Sequence, residues 1–343
     1  MMFEIVRKVM TPEEVSEQVP FSDALKKIKS LRDAELKNIF TGKDKRFVLI
    51  IGPCSADNED AVCDYVLRLA EIQEKVKDKI FVVPRVYTNK PRSRGEGYKG
   101  MLHNPDPHKG TDIQEGILRL RHMHIRVVRE TGLTSADEML YPDNYAYLED
   151  VLSYVAVGAR STENQQHRLV ASGIEVPVGI KNPMNGSISA MMNSVYAAQL
   201  GSEFQYHANQ VKTCGNPLAH AVLRGGQDMS GNNRPNYHYE DLVELKTAYD
   251  KQKLLNPAVI IDANHSNSNK NPFQQIRIAD EVLTLKNNCD DLSGMIKGLM
   301  VESYIEDGNQ PPDGTVYGKS ITDGCLGWQK TERLILNLAE KIK

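Results

Sequence analysis

The sequence lacks any uninterrupted apolar run of about 18 residues, the length a transmembrane helix requires, so no membrane partner is expected. Its N-terminal stretch, MMFEIVRKVMTPEEV, has neither the long apolar segment nor the small-residue cleavage site of a signal peptide. The five cysteines, at 54, 63, 214, 289 and 325, are scattered, odd in number and never spaced CxxC. That pattern excludes a disulfide framework and predicts a reduced, cytoplasmic protein. An excess of one charge is missing too: 42 Lys and Arg stand against 45 Asp and Glu, a net −3. Such balance argues against broad nucleic-acid binding and against a basic membrane-surface protein. There is no low-complexity tract and no internal repeat, and 40% hydrophobic with 25% charged residues excludes wholesale disorder.

At about 150 residues per domain, 343 residues read as two domains, but one (β/α)₈ barrel of about 250 residues with extensions also fits. The pattern along the chain favours the barrel. Short apolar runs centred near 49, 83, 136, 156, 178, 222, 260 and 300 alternate with amphipathic segments, as expected of parallel βα units. Ser22 caps a helix to Phe40 whose apolar residues recur at Leu25, Ile28, Leu31 and Ile39. Further helices are expected over 59–76, 112–130, 142–151, 165–171, 187–200, 239–253, 272–285 and 328–342. The segment 204–217 reads as a hairpin or long loop. A doubly wound open sheet is the alternative, but no GxGxxG follows the first strand. The expectation is an α/β (β/α)₈ TIM barrel over 46–343, with an N-terminal helical extension over 1–45 and an inserted β-hairpin.

In such a barrel the chemistry lies at the C-terminal ends of the strands. The residues just past each run are Cys54; Arg85, followed by Lys90 and Arg92 in a long loop; Glu138; Arg160; Lys181; Arg224; His265; and Glu302, with Asp323 before the last helix. Any one alone reads as a solvated loop residue, a lone cysteine as a small buried hydrophobe, a lone histidine as a hydrogen-bonded structural residue. Together they fall into two chemical sets. Arg85, Lys90, Arg92, Arg160, Lys181 and Arg224 would repel one another unless an anionic ligand sat among them, and guanidinium forks match phosphate and carboxylate oxygens. Cys54, His265, Glu302 and Asp323 offer a thiolate, an imidazole and two carboxylates, a donor set of mixed softness suited to a divalent transition metal.

Eight segments then carry a resemblance: IGPCS (51–55), PRVYTNKPRS (84–93), VGARSTENQQHR (157–168), GIKNPMNG (179–186), LRGG (223–226), IDANHSN (261–267), GLMVES (298–303) and YGKSITDGCLGW (317–328). In colinear order from about Phe21 to Ala339 the chain resembles the type I 3-deoxy-D-arabino-heptulosonate 7-phosphate (DAHP) synthases of microbial and fungal shikimate pathways. The resemblance implies a transferase that condenses phosphoenolpyruvate with erythrose 4-phosphate and releases phosphate, at the entry to aromatic amino acid biosynthesis. It implies that Arg160, Lys181 and Arg224 hold the phosphoenolpyruvate phosphate, and that Arg85, Lys90 and Lys181 hold its carboxylate. Arg92 and Ser93 would hold the phosphate of erythrose 4-phosphate. Cys54, His265, Glu302 and Asp323 would ligate one divalent ion (Mn²⁺, Fe²⁺, Co²⁺ or Zn²⁺), with Lys90 also moving a proton. Glu138 and His167 follow family-like segments, and the resemblance gives them the positioning of the attacking water. A homodimer or homotetramer and feedback inhibition by an aromatic amino acid are implied as well.

Three departures stand out. Ser93 replaces a common Thr but keeps the hydroxyl. The loop RSRGEGYKG gains Arg94. The arm before Phe21 matches poorly, which leaves regulation open. The rival readings are 3-deoxy-D-manno-octulosonate 8-phosphate synthase, which shares the barrel and the chemistry with a five-carbon sugar, and a non-catalytic barrel that senses phosphorylated ligands. A fused chorismate mutase is disfavoured, because an arm of about 45 residues is short for a helical mutase domain.

Overall fold

The structure, a computed structural model, describes residues 2–92 and 95–343. Eight parallel strands form the sheet: β1 (Phe47–Gly52), β2 (Ile80–Pro84), β3 (Ala136–Glu138), β4 (Tyr154–Val157), β5 (Val178–Lys181), β6 (His220–Leu223), β7 (Val259–Asp262) and β8 (Ile296–Glu302). Their order is β2-β1-β8-β7-β6-β5-β4-β3, and a parallel bridge between Arg85 and Ala136 joins the two ends. The architecture is the expected (β/α)₈ barrel.

The period of two along each strand divides the core in two. Val48, Ile50, Phe81, Val83, Tyr154, Ala156, Val222, Ile260 and Met300 belong to one hydrophobic cluster, the barrel interior. Their alternates Phe47, Leu49, Ile51, Val82, Val155, Val157, Leu223, Ile261 and Val301 belong to the larger cluster beneath the helices. Helix Asp23–Phe40, capped by Ser22 as expected, sends Leu36, Ile39 and Phe40 into the interior cluster and closes the bottom of the barrel. There the Tyr154 hydroxyl lies 2.9 Å from His220 Nε2, and His220 Nδ1 lies 2.8 Å from Leu218 O.

The expected hairpin forms from Glu203–Tyr206 and Asn209–Lys212, turning through His207 and Ala208 at positive φ. Some local features differ from the sequence reading. A helix over Pro12–Gln18, with a Thr11/Glu14 capping box, precedes the expected one. The helix expected over 142–151 stops at Tyr145, and the chain continues in i→i−3 turns. That leaves the Tyr147 carbonyl to accept from the buried Arg121 guanidinium at 2.9 Å. A second small hairpin joins Gly226–Gln227 to Asn233–Arg234.

Candidate active site

The parity that points Val48 or Ile260 inward also decides which strand-end residues reach the mouth. Two residues beyond Val83, Ala136, Val222, Ile260 and Met300 stand Arg85, Glu138, Arg224, Asp262 and Glu302. Glycines fill crowded places between them. A Cβ at Gly158 would lie 2.2 Å from Glu138 Oε1, so the loop after β4 approaches β3 closely only without a side chain.

A cavity of about 410 Å³ opens at this end. Cys54, Arg85, Lys90, Arg92, Glu138, Arg160, Arg224, His265 and Asp323 line it, joined by Tyr87, Asn89, Met184 and Lys270. Lys181 and Glu302 lie in its buried surroundings, 3% and 1% exposed. Ser93 and Arg94 fall outside the described residues. His167 is not among the lining residues; its Nε2 lies 3.1 Å from Leu140 O and its Nδ1 3.0 Å from Asn164 Oδ1.

Two buried ion pairs underlie the mouth. Arg85 donates to Glu302 Oε1 at 3.0 Å and to the Pro53 carbonyl, and its guanidinium lies 3.7 Å over the Tyr87 ring. Lys181 Nζ donates to Asp262 Oδ2 at 3.0 Å. Burial alone would raise both acids. The charges of Arg85 and His265 nevertheless hold Glu302 below the usual range, and those of His265 and Lys181 hold Asp262 well below it. Asp262, the inward-facing last residue of β7, is a member of the site that the strand-end list lacks; for that strand the list takes His265, three residues further on. Arg224, 3% exposed, is held below the ordinary guanidinium range by burial, with neighbouring Arg160 acting in the same direction.

The soft and acidic donors gather around Glu302. Ligand atoms of Cys54, Glu302 and Asp323 all lie within 4.8 Å of one another. His265 stands at the edge of this set, with Nε2 3.8 Å from Glu302 Oε1. Its Nδ1 lies 2.8 Å from Asp262 Oδ2 but outside hydrogen-bonding geometry. His265 also adopts a left-handed backbone (φ 48), held by a bond from Lys270 N to its carbonyl at 2.8 Å. Strain of this kind clusters at functional sites.

The Lys90 ammonium reaches into the donor set, 2.7 Å from Cys54 Sγ and 3.1 Å from Asp323 Oδ2. Burial and the Glu302 charge push the Cys54 thiol up to about 11, against the pull of Lys90. Asp323 is held low: burial opposes its charge, but Lys90 and Lys270 outweigh it. A buried thiol, two carboxylates held as anions and a cation drawn between two of them are a donor set that fits a divalent ion. A larger cleft of about 580 Å³, lined by residues such as Asp57, Arg119 and Tyr317, holds none of these donors.

The chain is similar to known proteins over nearly its whole length. The profile of the DAHP synthetase I family matches residues 17–335. The Phe-sensitive phospho-2-dehydro-3-deoxyheptonate aldolase of Escherichia coli (strain K12) is 35% identical over 351 residues, covering 98% of this chain and 95% of the relative. The Tyr-sensitive enzyme of Salmonella typhimurium is 34% identical over 336 residues, covering 95% and 91%. A solved phospho-2-dehydro-3-deoxyheptonate aldolase from Francisella tularensis SCHU S4 superposes with a TM-score of 0.91 at 29% identity, over 99% of this chain and 98% of that one.

Proposed function

The chain belongs to the DAHP synthetase I family and is an enzyme of it, a transferase, and we propose that it condenses phosphoenolpyruvate with D-erythrose 4-phosphate and water. The products are 3-deoxy-D-arabino-heptulosonate 7-phosphate and inorganic phosphate, the first step of the shikimate pathway. The observation that carries this reading is the gathering of Lys90, Arg92, Arg160 and Arg224 on one 410 Å³ cavity, beside a thiol and two carboxylates. Two phosphates and a carboxylate are the complement such a mouth calls for.

In this reading Arg160, Lys181 and Arg224 bind the phosphate of phosphoenolpyruvate, and Arg85, Lys90 and Lys181 its carboxylate. Arg92 and Ser93 bind the phosphate of the aldose, and Asp323 orients its hydroxyls. Cys54, His265, Glu302 and Asp323 hold the divalent ion, which when bound supplies Lewis-acid polarisation of the aldehyde oxygen. Fixed cations bring two anions face to face, a task of entropy and electrostatics. Carbon 3 of phosphoenolpyruvate attacks the aldehyde carbon, and Lys90 delivers a proton to the new alkoxide. Water adds to the electron-poor carbon 2 with loss of a proton, and the resulting hemiketal phosphate expels inorganic phosphate by C–O cleavage. Glu138, 8% exposed on the cavity wall, orients that water.

Residues 1–45 are proposed to take part in homodimer or homotetramer assembly and in feedback control by an aromatic amino acid, a reading supported by the Phe- and Tyr-sensitive names of the relatives. Among the described residues no helix is long and apolar enough to cross a membrane, and the proposed setting is the cytoplasm.

The test is consumption of phosphoenolpyruvate dependent on erythrose 4-phosphate. It should vanish after EDTA and return with Mn²⁺ or another divalent ion. Full turnover by metal-free enzyme would contradict the metal assignment, and no consumption with any metal would contradict the reaction.

A further inference from the structure

Backbone ladders join the barrel strands at seven of its eight seams. The eighth, between β2 and β3, has among the described residues one isolated bridge, Arg85 to Ala136, with Val86 N donating to Ala136 O at 2.9 Å. This weak seam is also where the loop bearing Lys90 and Arg92 leaves the barrel.

Side chains take over at that point. Asp137, 2% exposed in the middle of β3, accepts at Oδ1 from the backbone amides of Thr88 at 2.9 Å and Glu138 at 2.7 Å. Its Oδ2 accepts from the Thr88 hydroxyl and lies 3.3 Å from His124 Nε2. His124 Nδ1 lies 2.7 Å from Ser135 Oγ. Thr88, His124 and Ser135 are fully buried. A buried carboxylate must have its acceptor sites filled, and here two amides, a hydroxyl and an imidazole fill them. The carboxylate assigns the proton to His124 Nε2; in the neutral ring Nδ1 then accepts from Ser135.

We propose that Asp137 is a positioning residue: through Thr88 it clasps the weakly paired seam and holds the loop of Lys90 and Arg92 against β3. Beyond Thr88 the backbone of this loop is tied to itself, by the Asn89–Gly100 bridge and by Lys90 N donating to Lys99 O at 3.1 Å. The clasp is therefore the strand-anchored end from which Lys90 and Arg92 are aimed. By bonding the Glu138 amide as well, one carboxylate sets two walls of the cavity together. The consequence for turnover rests on the proposed function; the consequence for loop order does not.

The experiment combines hydrogen exchange with kinetics on the full chain. Thr88→Val keeps the shape and the backbone amide but removes one hydroxyl donor. Amide exchange over 88–92 should rise about tenfold, the equivalent of one lost hydrogen bond, with barrel strands on the far side unchanged. The KM for erythrose 4-phosphate should rise by about tenfold, more than kcat falls, and Thr88→Ser should restore both. Asp137→Ala should extend the rise in exchange to 138–140. Wild-type exchange in Thr88→Val overturns the clasp. So does a rise spread evenly over the whole barrel, the mark of simple destabilisation. If the wild type fails to turn over these substrates, the functional reading falls while the exchange pattern still judges the clasp.

Discussion

The two ends of the barrel bury polar groups to the same depth and arrange them in opposite ways. At the bottom, Tyr154 and His220 form a closed, uncharged set beneath Phe40, whose ring centroid lies 4.4 Å from that of His220. Burial holds His220 down to about 4, so the ring is neutral at ordinary pH. At the mouth, Arg85–Glu302 and Lys181–Asp262 are buried ion pairs, and Lys90 stands between Cys54 and Asp323. A neutral satisfied set adds to stability. Buried ion pairs are weak stabilisers, because desolvation offsets much of their attraction. The bottom therefore holds the barrel shut, and the mouth keeps concentrated charge available to ligands.

Substitutions should separate the two ends. The largest effect is expected at the mouth: Cys54→Ala should lower turnover by about a thousandfold or more, with loss of bound metal and little change in melting temperature. Metal content by elemental analysis beside kcat checks this, and retained turnover removes Cys54 from the donor set. At the bottom, Phe40→Ala should cost about 3–5 kcal/mol in chemical denaturation while kcat at low temperature stays near that of the wild type. An equal loss of activity would show that the ends are not independent.

A smaller effect sharpens the division within the mouth. Arg92→Ala should raise the KM for erythrose 4-phosphate by about tenfold or more, the loss of a charged hydrogen bond, and leave that for phosphoenolpyruvate nearly unchanged. Equal changes in both would reassign Arg92. The last effect is a pH slope. Folding lowers His220 from 6.5 to about 4, so its contribution is complete above pH 6.5 and is lost as pH falls from there toward 4. The slope from this one group is at most about 1.4 kcal/mol per pH unit. Denaturation midpoints of wild type and His220→Gln at pH 4.5 and 7 should show a shallower acid loss in the variant.

Much of this was legible in the sequence because it depends on local pattern. The helix at Asp23–Phe40 follows from Ser22 and the apolar spacing behind it, and all eight strands fall on the expected apolar runs. The strand-end list found most of the mouth for a reason visible only in the fold: Arg85, Glu138, Arg224 and Glu302 share the parity of the interior residues. Asp262 obeys the same parity and was passed over. What local pattern could not supply is pairing across the chain. The Asp137–Thr88 contact, the place of His265 at the edge of the donor set and the short helix ending at Tyr145 each depend on partners brought in by the fold. The helix over Pro12–Gln18 has a readable capping box but too little apolar periodicity to announce itself.

The central claim is that the cationic mouth joins phosphoenolpyruvate to a four-carbon aldose phosphate. It is tested most directly by kcat/KM for erythrose 4-phosphate and for arabinose 5-phosphate, measured side by side with Mn²⁺ present and the seven- or eight-carbon product identified by mass. The account predicts a clear preference for erythrose 4-phosphate and a seven-carbon product. A clear preference for the pentose phosphate, or no product from either sugar, would contradict it.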